Sequence, residues 1–134
     1  MAEKLHFSLV TPERQVLAGE VDQVVVPGVE GDFGVLPNHA PVMSNIRPGW
    51  LTVMDGDRSE RIVIRGGFAE VTPAGLNVLA EDAQMARDVD TAALAQQIQD
   101  IREDIADADT DAKRAAAQDR LDYLLVLEEA AKAA

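Results

Sequence analysis

The chain has 134 residues, 47% of them hydrophobic, and 12 Lys+Arg against 24 Asp+Glu give it a formal net charge of −12. That length holds one modest core, or one small core with an appendage, and excludes two large domains. The charge argues against a nucleic-acid surface, whose affinity comes largely from Lys and Arg neutralising phosphates, and against direct docking on anionic lipid. It permits a partner with a basic surface. No apolar run approaches the roughly 18 residues of a membrane span. The MAEKLHFSLV start lacks the long apolar segment of a signal peptide and cysteine is absent, so a reducing cytoplasm is expected.

Along the chain, Leu5, Phe7 and Leu9 alternate with His6 and Ser8, which predicts a strand with one buried face. Further strands are expected over Val21–Val26, Trp50–Met54, Arg61–Arg65, Phe68–Val71 and Leu76–Ala80, with Phe7 and Phe68 inward. Asp55-Gly56 and Pro73-Ala74-Gly75 supply turns. Residues 26–41, VPGVEGDFGVLPNHAP, read as one loop of spaced glycines and prolines. Many short, closely spaced strands argue for an antiparallel sandwich or barrel.

After about Ala83, Gly and Pro disappear. Leu94, Ile98, Ile101 and Ile105 recur at helical spacing, and Ala117, Leu121, Leu124 and Ala131 build a second stripe after an acidic break at 106–111. Asp109 or Thr110 is expected as the N-cap there. Two amphipathic helices with a tight link predict an antiparallel hairpin. The expectation is an α+β chain, with an antiparallel β-sandwich over 1–84 and a two-helix hairpin over 85–134.

Catalytic chemistry finds little to work with. The serines Ser8, Ser44 and Ser59 include none in a G-x-S-x-G elbow. His6 reads as a solvent-facing strand residue, and His39, in the loop between two prolines, is a poor metal site without a spaced companion. Gly28, Gly31 and Gly34 do not make a phosphate cradle, because no Lys follows them and Glu30 and Asp32 would repel phosphate. No pair of carboxylates is singled out for acid/base work. A sugar-binding module needs exposed aromatics, and the chain has only Trp50, Tyr123 and three Phe.

Residues 26–41, read with Gly66-Gly67-Phe68-Ala69-Glu70-Val71 and Asn77-Val78-Leu79-Ala80-Glu81, resemble the epsilon subunit of the bacterial F-type ATP synthase, in the same order and spacing. The resemblance implies a ten-stranded β-sandwich followed by a helical hairpin. It implies a non-catalytic rotor subunit on the cytoplasmic face of the bacterial inner membrane, peripheral and without cofactor or metal. Such a subunit would bind gamma and the c-ring, and its hairpin could reach the alpha and beta subunits. Glu30, Gly31, Asp32 and Phe33 would then face the polar c-ring loops, with His39, Ala40 and Pro41 near the junction of gamma and the ring. Each exposed ion pair contributes only about 0.2–1 kcal/mol, so stable attachment is expected to rest on apolar area shared with gamma. The isolated acidic chain is expected to be a monomer.

The chain departs from the family where some members bind ATP, at an I/L-D-x-x-R-A motif. Asp90 is present, but Ala93 stands at the arginine position and Leu94 at the alanine. A phosphate site without its main cation predicts no ATP binding at physiological concentration, against the alternative of a nucleotide-sensing inhibitor of ATP hydrolysis. From Ala83 onward six basic residues face twelve acidic ones. Like charge opposes docking of an extended hairpin on acidic beta segments, so weak or no inhibition is expected.

Overall fold

The alternating Leu5, Phe7 and Leu9 build β1 (Leu5–Val10), each buried to 4% exposure or less. The structure is a computed structural model that describes residues 3–132; Met1, Ala2, Ala133 and Ala134, which the expected domain ranges include, lie outside them. Strands β2 (Gln15–Val21), β3 (Gln23–Gly28), β4 (Gly31–Val35), β5 (Val42–Ile46) and β6 (Gly49–Asp55) follow. After them come β7 (Arg58–Ile64), β8 (Gly67–Thr72), β9 (Gly75–Ala80) and β10 (Ala83–Met85). A single 3₁₀ turn (Ala86–Asp88) leads into α1 (Thr91–Asp107) and α2 (Asp111–Lys132).

The sheet runs β10-β7-β6-β3-β5-β8-β9-β1-β2, with β4 attached to β3 alone. β2 also touches β6, which brings the layers toward a barrel. The expected sandwich and helical hairpin are both present, but the sheet is mixed rather than antiparallel. β1 and β9 run parallel, Phe7 opposite Leu76 and Val10 opposite Leu79. Short turns dictate only antiparallel neighbours, whereas this pairing is set by packing between distant segments.

Three local expectations are corrected. The strand expected over Val21–Val26 is two strands meeting at Asp22, whose carboxylate accepts from Lys4 Nζ and the Gly56 N–H, both at 2.6 Å. Residues 26–41 are not one loop, because β3 runs through Pro27 and turns back as β4. Phe68 is not in the core. Ala69 and Val71 take the inward positions of β8, which leaves Phe68 half-exposed on the opposite face.

The main core gathers Phe7, Leu9, Val24, Val26, Val35, Leu51, Ile62, Ile64 and Leu76. Gly67 sits at φ +155°, where a Cβ would come within 2.1 Å of the Leu79 carbonyl oxygen. Only glycine lets β8 start this close to β9. A second core lies between sheet and hairpin, where Val63 points outward from β7 to meet Leu121, Leu124 and Leu127 with Leu94 and Ile98. β7 is therefore buried on both faces, and the hairpin lies folded against the sandwich.

α2 is packed against both α1 and the sheet, so its buried set is wider than one stripe. Tyr123, Leu127 and Ala130 are buried, whereas Ala117 and Ala131 are only half so. The turn between the helices is capped at Thr110, whose Oγ1 accepts from the Lys113 N–H at 3.1 Å.

Candidate functional site

The β3–β4 turn lies within residues 26–41, and Glu30, Gly31 and Asp32 in it are exposed. Val29 and Glu30 form a two-residue tip closed by the Gly28–Gly31 pair. Gly31 has φ +138°, and a Cβ on Gly28 would lie 2.8 Å from the Gly31 carbonyl oxygen, so both positions demand glycine. Val29 is 56% exposed at the tip, and Glu30 makes no ion pair among the described residues.

Arg47 pins this tip. Its guanidinium donates to the Gly28 carbonyl and pairs with the Asp32 carboxylate. Its own N–H donates to the Pro27 carbonyl at 3.0 Å, and the Val29 N–H donates to the Asn45 carbonyl at 3.1 Å. Sequence reasoning missed Arg47. The signal was a lone cation between Ile46 and Pro48, facing an acidic turn. Phe33 is half-buried and packs its ring on the main core.

His39, Ala40 and Pro41 follow the far end of β4, so the structure does not bring them together with Glu30–Phe33. The His39 N–H donates to the Leu36 carbonyl at 3.1 Å, and Nδ1 donates to the Ala40 carbonyl at 2.6 Å. Asn38 takes φ +67° and reaches Glu3 through its side chain. His6 and His39 line one open cavity of about 380 Å³ together with Glu3 and Glu20. His6 Nδ1 lies 3.3 Å from Glu20 Oε1, yet among the described residues no three metal-ligating side chains converge.

At the start of α1 the Asp90 carboxylate accepts from the N–H groups of Ala92 and Ala93, both at 3.1 Å. It is a helix N-cap. Ala93 offers no cation beside it. At the seam between sheet and hairpin, the Arg65 guanidinium lies 5.7 Å from the centroid of the Tyr123 ring. Burial, with the nearby Asp82 carboxylate, pushes the Tyr123 hydroxyl up to about 12, and among the described residues that hydroxyl has no partner in hydrogen-bonding geometry.

The outer face of the sheet carries the other unexpected feature. Val10, Leu79 and Phe68 stand side by side across β1, β9 and β8, and Met43 on β5 lies one diagonal step away, opposite Glu70. Leu79 is 57% and Met43 63% exposed. Val10 and Phe68 beside them are partly exposed. The sequence signal of this face is Val78-Leu79-Ala80, where an apolar run fills both faces of a strand.

Comparison with known proteins gives two family matches. Residues 4–86 match the family model described as ATP synthase, Delta/Epsilon chain, beta-sandwich domain, and residues 90–133 match the model of the C-terminal domain of the ATP synthase epsilon subunit. The sequence is 60% identical over 114 residues to the ATP synthase epsilon chain of Maricaulis maris, covering 85% of this protein and 86% of the relative. It is 54% identical over 125 residues to that of Parvibaculum lavamentivorans, covering 92% and 95%.

Among solved structures, a subunit of the Euglena gracilis mitochondrial ATP synthase (OSCP/F1/c-ring, rotational state 1) superposes with TM-score 0.83 at 25% identity. The match covers 97% of this protein and 82% of that subunit. A subunit of the Tetrahymena thermophila mitochondrial ATP synthase central stalk/c-ring shares the fold, with TM-score 0.64 at 18% identity over 96% and 97%.

Proposed function

The chain belongs to the ATP synthase epsilon family, and from that premise we propose that it is a non-catalytic rotor subunit coupling c-ring rotation to ATP synthesis through gamma. The observation that carries this reading is that one small domain presents both a pinned acidic tip and an exposed apolar sheet face. Buried apolar area contributes roughly 25 cal/mol per Å², against which the cost of association must be set. The Met43–Phe68–Leu79 face is therefore the surface for gamma. The tip residues Glu30, Gly31, Asp32 and Phe33 face the c-ring loops, and His39, Ala40 and Pro41 lie toward the junction of gamma with the ring.

A subunit that carries torque gains from a contact that does not flex. Arg47 supplies that stiffness by tying Gly28 and Asp32 to the β5–β6 corner. Among the described residues no helix is long and apolar enough to cross a membrane, so attachment to the cytoplasmic face of the bacterial inner membrane is through the complex. Nucleotide sensing is not part of the reading, since Asp90 is engaged as a cap and Ala93 brings no charge. Nor is inhibition by the hairpin, whose acidic balance opposes docking on acidic subunits.

The test is the double variant Met43→Asp with Leu79→Asp, added to ATPase complex stripped of its native copy. Retention is expected to weaken at least about tenfold, the equivalent of 1.4 kcal/mol. Retention equal to wild type would sink the assignment of this face to gamma.

A further inference from the structure

The β6–β7 hairpin closes on Asp55 opposite Arg58, which leaves a two-residue loop of Gly56 and Asp57. Gly56 takes φ +61° at the first loop position, a backbone that such tight turns reserve for glycine. The turn therefore places glycine directly after an aspartate, the only Asp-Gly step in a chain that has no Asn-Gly. Such a step is chemically labile, because glycine has no side chain to shield its nitrogen from the preceding carboxyl carbon.

Both atoms that would join are tethered. The Gly56 N–H donates to Asp22 Oδ2 at 2.6 Å. Lys4 Nζ donates to Asp55 Oδ1 and to Asp22 Oδ1, each at 2.6 Å. Asp22 is itself fixed between β2 and β3, where its own N–H donates to the Met54 carbonyl at 2.9 Å. The cluster lies at the surface, where water reaches Gly56 and Asp57. Reaction requires the Asp55 carboxyl to turn onto the Gly56 nitrogen. Here that carboxylate is held by Lys4, and the N–H is committed to a second carboxylate.

We propose that Asp55-Gly56 is a latent isoaspartate site and that the Lys4–Asp22 pair holds it closed. In the restrained step, the Gly56 nitrogen attacks Cγ of the protonated Asp55 side chain. A C–N bond forms, and the proton of the nitrogen leaves with the carboxyl OH as water. The cyclic imide then takes up water at either carbonyl. Opening at Cγ restores aspartate, whereas opening at the main-chain carbonyl sends the chain through Cβ and Cγ with one extra main-chain atom. A two-residue turn cannot absorb that atom without shifting β6 against β7, whose Ile62 and Ile64 fill the main core while Val63 fills the second.

The test is warm incubation of the full-length protein at near-neutral pH, folded and in urea. Peptide mapping with electron-transfer fragmentation then distinguishes isoaspartate from aspartate at position 55. The folded wild type is expected to accumulate isoaspartate at least about tenfold more slowly than the same chain in urea. Equal rates would overturn the proposal.

A second arm uses Asp22→Ala, which frees the Gly56 N–H, and Lys4→Met, which frees the Asp55 carboxylate. Each is expected to speed accumulation in the folded protein at least about fivefold and to leave the rate in urea unchanged. Wild-type rates in both folded variants would assign the protection to the turn alone and overturn the role of the pair. Hydrogen exchange at Val24 and Leu51, in the main core, separates local from global opening. Isomerisation and core exchange that speed up by the same factor in both variants would trace the effect to unfolding, and would also overturn the proposal.

Discussion

Truncating Leu124 to alanine is expected to loosen the hairpin without loosening the sandwich. Leu124 is 2% exposed and sits among Val63, Leu121, Leu127 and Leu94, in a core separate from that of the sheet. A buried Leu→Ala change costs 2–5 kcal/mol, and about 3 kcal/mol suits a site lined by side chains that cannot collapse onto it from the rigid β7 side. At 1.4 kcal/mol per tenfold, that is roughly a hundredfold shift in the equilibrium between docked and undocked hairpin. Hydrogen exchange of the isolated protein reads it directly. Amides in α1 and α2 lose roughly two orders of magnitude of protection, and those in β1 and β9 keep theirs. The matched truncation Leu76→Ala, inside the main core, is expected to lower protection in both halves, because the hairpin packs on the sheet. Equal loss in both halves from Leu124→Ala would refute the division into two cores.

The Lys4 ammonium is raised to about 12 by hydrogen bonds to Asp22 and then Asp55, so its contribution is full below its ordinary 10.5 and lost as pH rises through about 12. Asp22 is lowered, first by the Gly56 N–H and then by Lys4, so its contribution is present above its ordinary 3.8 and fades as pH falls through the folded value. Lys4→Met is therefore expected to lower the unfolding midpoint near neutral pH, with the gap to wild type closing in acid below 3.8. A gap that stays constant into acid contradicts the staple. Gly67→Ala is expected to cost at least about 3 kcal/mol in thermal unfolding, since its Cβ meets the Leu79 carbonyl oxygen at 2.1 Å; a near-wild-type midpoint would show that β8 and β9 can separate there freely. Deleting residues 88–134 is expected to leave ATP hydrolysis by the complex unchanged, and calorimetry of the full-length protein to find no ATP site. A large rise in hydrolysis, or a sub-millimolar dissociation constant, would restore the regulatory alternative.

The legible parts of the fold are those whose pattern is local. β1, β6, β7, β8 and β9 follow from alternation and turn residues, and the hairpin from the spacing of Leu94, Ile98, Leu121 and Leu124. β2 and β5 escape the pattern because neither keeps a clean alternation; β5 is exposed over much of its length. β4 escapes because two of its five residues are glycine, which reads as loop, although one of them is required by the tip. The parallel β1–β9 pairing has no local signature at all. In the candidate site, the acidic tip was legible as a motif. Its anchor Arg47 left the trace of a lone cation before Pro48, and the apolar face that of Val78-Leu79-Ala80, but the partners of each come from distant strands.

Recovering the tagged protein from detergent-solubilised membranes of its host, and identifying what accompanies it, tests whether the subunit is part of the rotor. Stoichiometric recovery of gamma, alpha, beta and c subunits is expected. Recovery of the tagged protein alone, at low salt and with intact ATPase in the extract, would contradict it.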